Sequence, residues 1–162
     1  MLTEAQAWQV LQQVPDPELP AVSVCELGIV REVHASPDGV KVVVTPTYSG
    51  CPATEMIEGA IRIALRDAGA REVTVETRLS PAWTSDWLTG EARAKLNAHG
   101  VAPPEPAANG QTQPLRFIPR APSCPRCGAR TTTRLSEFGS TACKALYRCE
   151  RCREPFEYFK PI

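Results

Sequence analysis

Cys124-Pro-Arg-Cys127 and Cys149-Glu-Arg-Cys152 are two CxxC knuckles separated by 21 residues. Four soft thiolates in two turn-like pairs supply the tetrahedral sulfur set that Zn²⁺ or an iron centre prefers. Each knuckle bends its backbone around the ion, so two of them close a site without a large core. The competing chemistry is a pair of redox CxxC motifs. It expects each motif between a strand and a helix, and neither has that context. Four thiolates saturate a metal and leave no position for a substrate water, which favours a structural centre. Redox-inert Zn²⁺ needs the fewest assumptions, while iron or an iron–sulfur centre stays open because both accept thiolate ligation.

Cys51 is the second residue with chemistry to offer. It directly precedes Pro52 and a predicted helix, which puts it near the N-cap with Pro52 at the favoured first helical position. Backbone N–H groups and the positive helix end favour a thiolate there. Such a thiolate could bind iron, act as a nucleophile or sense redox state. The blander reading is a small buried hydrophobe. Asp16-Pro17-Glu18 offers paired carboxylates for acid–base work or hard metal ligation, against the commoner role of solvated turn residues. Cys25 has apolar neighbours and reads as core. His34 and His99 have no partner at ligand or triad spacing and read as surface or satisfied core residues. Cys143, in Phe138-Gly-Ser-Thr-Ala-Cys143-Lys144 between the knuckles, could be a spare thiol, a sulfur outside the ligand set or an alternate ligand.

The elements that must position these residues follow from periodicity. Thr3-x-x-Gln6 is a capping box for a helix running to Val14, which Pro15 and Pro17 end. Ile29–Ala35 and Val40–Thr45 read as a hairpin around Ser36-Pro37-Asp38-Gly39. Ala53–Ala68 is amphipathic, with Ile57, Ile61, Ala64, Leu65 and Ala68 on one face and Gly69 closing it. Glu72–Arg78 is a third strand, and Ser80–His99 a turn and helix carrying Trp83, Trp87, Leu88 and Leu96. The order α-β-β-α-β-α predicts an α+β domain over residues 1–100, a small mixed sheet with helices packed on it. Residues 101–122 include six prolines in 22 positions and read as a semi-rigid linker. Residues 123–162 read as a zinc-ribbon-like module with strands at Arg130–Glu137, Ala145–Arg148 and Phe156–Phe159. That segment is too short to fold on apolar burial alone, so metal must supply much of its folding free energy.

Composition narrows the function classes. No run reaches the roughly 18 apolar residues that would span a bilayer. The first residues lack a secretory pattern, so the expected location is cytoplasmic, with seven reduced cysteines and no disulfide framework. Zero net charge hides an asymmetry: residues 1–100 carry 8 Lys/Arg against 13 Asp/Glu, and residues 101–162 carry 10 against 5. Four thiolates on one Zn²⁺ would lower the second half from +5 to about +3. That modest basic patch suits an acidic protein surface better than nucleic acid. A nucleic-acid-binding ribbon would use Arg126, Arg130, Arg134, Lys144, Arg148, Arg151 and Arg153. No Glu-x-x-His pair for a di-iron bundle and no GxGxxG after a strand is present. A hydrolase built on Cys51 lacks a histidine to activate it.

Asp16-Pro-Glu-Leu-Pro20, Glu26-Leu-Gly-Ile-Val30 and Thr45-Pro-Thr-Tyr-Ser-Gly-Cys-Pro52 resemble the signature of the SufT-like iron–sulfur assembly family, over roughly residues 1–100. With Pro81-Ala-Trp-Thr-Ser-Asp-Trp87 and Phe138-Gly-Ser-Thr-Ala-Cys-Lys-Ala-Leu-Tyr147 added, the whole chain resembles the D-subunit (PaaD-type) family of the bacterial phenylacetyl-CoA epoxidase system. The resemblance implies that Cys51 is the family's reactive cysteine and that Asp16 and Glu18 are its acidic loop, together handling iron or an iron–sulfur cluster transiently. It also implies an accessory, non-catalytic protein of aerobic phenylacetate degradation that assists maturation of the oxygenase and reductase subunits. A structural subunit of the oxygenase complex is the alternative. A homodimer through the first domain is a further expectation, since Cys51 is only one ligand. SufT-like proteins commonly lack a ribbon, so its role is not inherited from them.

Overall fold

Thr3 Oγ1 accepts a hydrogen bond from the Gln6 N–H, and Gln6 Oε1 accepts one from the Thr3 N–H at 2.9 Å. This reciprocal cap starts helix α1, Glu4–Leu11, in the computed structural model, which describes residues 1–105 and 120–162. The helix stops short of the predicted end at Val14. The chain tightens after Leu11, with the Val14 N–H donating to the Leu11 carbonyl, and buries Val14 in the turn that Pro15 ends.

Two compact units form, Met1–Ala92 and Arg93–Ile162. In the first, β1 (Val30–Ala35) pairs antiparallel with β2 (Val40–Val44), which pairs parallel with β3 (Val73–Thr77). The Ser36–Gly39 turn closes the hairpin, and a Cβ at Gly39 would lie 2.5 Å from the Glu72 carbonyl oxygen. Helix α2, Thr54–Asp67, connects β2 to β3, as a parallel pair requires. It buries Ile57, Ile61 and Leu65, each worth about 1.5–3 kcal/mol relative to exposure. α2 packs on β3 and α1, and α1 packs on β1. Central strand β2 buries Val42, Val43 and Val44 together, as a strand covered on both faces does.

The segment after β3 folds back over the turn that precedes β1. Trp83 is buried and its indole N–H donates to the Leu27 carbonyl at 2.9 Å. Gly28 has φ +71°, and a Cβ there would lie 2.7 Å from Trp87 Cβ. Only glycine meets both conditions. The Arg31 guanidinium stacks on the other tryptophan, 3.5 Å from the Trp87 ring centroid. Residues 80–99 thus form a single 3₁₀ turn, Ser85–Trp87, and then α3, Gly90–Ala98. The tryptophans lie before that helix and not on it.

In the second unit four strands run in the order β4-β7-β6-β5: Val101–Ala102, Pro155–Phe159, Lys144–Cys149 and Thr132–Ser136. β4 is parallel to β7, and the other pairs are antiparallel. The expected linker 101–122 therefore opens with two paired residues, a strand too short to leave a periodic signal. Residues 106–119 of that expected linker lie outside the described residues. Tyr147 stacks on Phe156 at 6.0 Å between centroids and meets Tyr158 edge-on at 5.6 Å. Lys144 is buried with its Nζ 2.8 Å from Glu157 Oε2, while the Ser140 N–H donates to Oε1 at 2.7 Å. Burial alone would raise the Glu157 carboxyl, but these donors hold it below the usual glutamate range. No helix among the described residues is long and apolar enough to cross a membrane.

Candidate functional site

The two knuckles are built on one plan. In the first, the Gly128 N–H donates to the Cys124 carbonyl at 2.9 Å and the Cys124 N–H to the Ala129 carbonyl at 2.9 Å. In the second, the Arg153 N–H donates to the Cys149 carbonyl at 3.0 Å and the Cys149 N–H to the Glu154 carbonyl at 3.0 Å. The residue after each second cysteine takes positive φ, +71° at Gly128 and +65° at Arg153. Both loops therefore curl in the same way and aim two sulfurs inward.

The four sulfurs lie within 4.8 Å of one another. Cys124 Sγ is 3.7 Å from Cys152 Sγ, and Cys127 Sγ is 3.6 Å from Cys149 Sγ. A tetrahedron with metal–sulfur bonds of about 2.3 Å has edges of about 3.8 Å, so the donor set fits one ion. Cys124 and Cys149 are buried, and Cys127 and Cys152 half-buried. Ala102, Ala145, Tyr147 and Phe156 complete an apolar wall around them. The Cys152 N–H, 3.5 Å from the Cys149 sulfur, is the chief cause that draws the Cys149 thiol down to about 6. At Cys152 the Glu154 backbone pulls downward, but burial and the neighbouring thiols prevail and push it up to about 11.

Cys143 stands apart. It precedes β6 and lies six extended residues, roughly 20 Å, from Cys149 at the far end of that strand. That spacing removes it from the ligand set. Its buried sulfur sits 3.0 Å from Thr141 Oγ1, in the turn that Lys144 and Glu157 brace.

In the first unit, Cys51 follows the carboxyl end of β2, in the loop that leads into α2. Ligands of open α/β sheets bind at the carboxyl ends of parallel strands, and β2 and β3 are such a pair. Cys51 is 8% exposed. The regular helix starts one residue after the predicted Ala53, at Thr54, with Ala53 at the cap and no side-chain capping bond. The Thr54 N–H donates to the Cys51 carbonyl at 3.1 Å, an i→i+3 bond that makes Cys51-Pro52-Ala53 a tighter turn ahead of the helix. Pro52, which has no N–H to contribute, fits its first position.

Asp16 is not the solvated turn residue that composition suggests. It is 5% exposed, and its Oδ1 accepts from the Glu18 N–H at 2.9 Å and the Leu19 N–H at 2.8 Å. The carboxylate thus shapes its own loop, and Glu18 is half-buried beside it. Cys25 is half-buried and not fully core, and burial, then the Glu26 charge, pushes its thiol up to about 12. His34 and His99 are both exposed. Among the described residues, the ribbon sulfurs are the one group of three or more candidate ligands that converges on an ion position. Ser23 and Glu26 form a reciprocal cap that sequence reasoning missed, with bonds of 2.9 and 3.1 Å. The S-x-x-E spacing was its legible signal.

Two family models match the chain: "Iron-sulfur cluster assembly protein" over residues 4–77 and "PaaD zinc beta ribbon domain" over residues 109–160. An Escherichia coli (strain K12) protein described as the 1,2-phenylacetyl-CoA epoxidase D subunit is 50% identical over 155 residues, covering 96% of this chain and 91% of that protein. An Fe-S protein maturation auxiliary factor of Porphyromonas gingivalis is 33% identical over 96 residues, 58% of this chain and 90% of that protein. A domain of unknown function from Bacillus anthracis superposes with TM-score 0.53 at 27% identity, covering 57% of this chain and 90% of that one. A conserved hypothetical protein of Thermotoga maritima gives TM-score 0.50 at 31% identity, with 58% and 93% covered.

Proposed function

The chain belongs to the family of phenylacetyl-CoA epoxidase D subunits, and from that premise we propose that it is an accessory factor of this multicomponent monooxygenase in aerobic phenylacetate degradation. It assists iron or iron–sulfur maturation of the oxygenase and reductase subunits and does not itself catalyse epoxidation. The observation that carries this reading is the division of labour in one chain. An iron–sulfur-assembly unit with a thiol beside its parallel strand pair is joined to a ribbon whose four thiolates already saturate an ion.

Cys51 holds the iron or cluster cargo in passing, with Asp16 and Glu18 as the acidic loop of the same site. A single thiol suits a carrier, because cargo held by few ligands is readily given up. The Asp16 bonds to the loop backbone support a positioning part for that residue. The ribbon serves as the structural and docking module, with Cys124, Cys127, Cys149 and Cys152 holding Zn²⁺. The short sulfur–sulfur edges support a single ion over a cluster, in which the four thiolates would be divided among two or more irons and the sulfurs on different irons would stand further apart. Bound there, the metal supplies folding free energy. The protein works in the cytoplasm, where its seven thiols stay reduced. A homodimer through the first unit belongs to the same reading.

The test is Cys51→Ser in cells lacking the wild-type protein. Epoxidase activity and the iron content of the purified oxygenase and reductase should fall several-fold, while the variant stays soluble and keeps its ribbon metal. Unchanged client iron would overturn the carrier role. Metal analysis of the anaerobically purified protein tests the ribbon: one zinc per chain and no visible colour is expected, and iron with sulfide absorption that survives Cys51→Ser would reassign it.

The relative's description as part of the epoxidase favours a second reading, in which the chain stays in the complex as a non-catalytic structural component. Stoichiometric co-purification, with activity restored by adding the protein to an assembled complex, would select that reading. A maturation factor is dispensable once its clients are loaded.

A further inference from the structure

Helix α2 carries a second apolar face. Opposite buried Ile57, Ile61 and Leu65, the outward positions Met56, Gly59, Ala60 and Ile63 follow the i, i+3, i+4, i+7 spacing of one helical stripe. Met56 is 64% and Ile63 63% exposed, two of the larger apolar side chains left to solvent in the first unit. Gly59 stands between them, where an added Cβ would meet nothing within 4 Å. A glycine inside a helix lowers its stability relative to alanine. No neighbour among the described residues uses the space, so the vacancy points to close approach from outside.

The stripe is its own complement. About a midpoint between Gly59 and Ala60, Met56 and Ile63 exchange places under a two-fold rotation, as a self-complementary interface requires. An antiparallel pair of α2 helices would set Met56 against the partner's Ile63 and let the backbones close at the two glycines. Charges agree. Glu55 lies in the first turn and Arg66 in the last, on the same flank of the stripe, and neither pairs with another described residue. Antiparallel packing brings the Glu55 flank of one helix to the Arg66 flank of the other, and it also opposes the two helix dipoles favourably.

We propose that the outer face of α2 is a homodimerisation surface, pairing two copies antiparallel about Gly59 and Ala60. This departs from the shared-ligand homodimer expected because Cys51 is only one ligand, and its geometry has a consequence for Cys51. Each Cys51 precedes its helix midpoint by more than two turns. At 1.5 Å per residue the two thiols sit on the order of 25 Å apart, at opposite ends of the pair. They cannot share one cluster, so each copy handles cargo separately.

Solution mass of the full-length, zinc-loaded chain across micromolar to millimolar concentration tests the surface. Wild type should pass from monomer to dimer. Ile63→Glu should weaken the dimer by roughly tenfold or more, since it desolvates two charges per interface. Gly59→Gln should raise the thermal midpoint of the monomer through helix propensity and weaken the dimer at the same time. Those opposite signs separate an interface from a folding defect. Glu55→Arg should weaken the dimer, and Glu55→Arg combined with Arg66→Glu should restore it. A wild type monomeric throughout, or a dimer indifferent to Ile63→Glu and Gly59→Gln, would overturn the proposal. Because mass is read without any client, failure here leaves the maturation role standing, and loss of client iron in Cys51→Ser bears on that role alone.

Discussion

Arg153 sits in the backbone conformation that Gly128 adopts in the matching knuckle, at φ +65° against +71°. A side chain in the left-handed region costs about 1–2 kcal/mol that glycine avoids. Two substitutions of opposite sign follow. Gly128→Ala should lower the stability of the zinc-loaded ribbon by about 1 kcal/mol, and Arg153→Gly should raise it by less than about 1 kcal/mol, since the extra freedom of glycine in the unfolded chain offsets part of the gain. Denaturant midpoints of the metal-loaded variants measure both. The sulfurs bring a pH dependence. Cys149, drawn down to about 6, is already a thiolate at pH 8, whereas Cys152, pushed up to about 11, must shed a proton to bind metal. Metal uptake therefore releases protons and weakens on acidification. Apparent zinc affinity, measured against a competing chelator, should fall by about tenfold or more per pH unit between pH 8 and 6. At this scale the sequence was an uneven guide. Four cysteines in two CxxC pairs declare a site by spacing alone. The burial of Asp16 could not be read, because its carboxylate is enclosed by a loop whose path depends on a bridge between Pro15 and Ser23.

Elements were legible where one periodic face met one core. The hairpin, α2 and β3 formed within two residues of where alternation and helical spacing put them. Legibility failed where position depends on a distant partner. β4 is two residues long and exists because β7 offers it an edge. The outward stripe of α2 is hard to read because the inward face already accounts for the helix. The Trp83–Trp87 segment gave no period, as its place is set by what it covers. That cover predicts a large effect: Gly28→Ala forces a side chain into the left-handed region and against Trp87 at 2.7 Å. Strain and overpacking together should cost about 3 kcal/mol. Thermal unfolding of the first unit would show the loss, while the ribbon's zinc content stays unchanged.

At the scale of the molecule, each unit has a core of its own, and among the described residues only the second gathers four thiols around one ion position. The first buries Leu11, Val42, Ile61 and Leu65. The second encloses Cys124 and Cys149 among a few small and aromatic side chains. Stripping zinc with a strong chelator should unfold the ribbon and leave the first unit folded. Backbone NMR or hydrogen exchange would then show protection lost across β5–β7 and kept across β1–β3 and α2. Loss of protection in both units would mean that the first depends on the second.

The seat that Trp83 and Trp87 take over Leu27 and Gly28 joins positions 56 or more residues apart. A ribosome emits this chain at about 5–20 residues per second, so the turn after α1 waits some seconds for its cover. The nascent first unit therefore has a hairpin and a helix before it has a lid, and Cys51 emerges during that interval. The turn at Leu27 and Gly28 therefore reaches its final packing only after Trp87 has left the ribosome, late in the synthesis of the first unit.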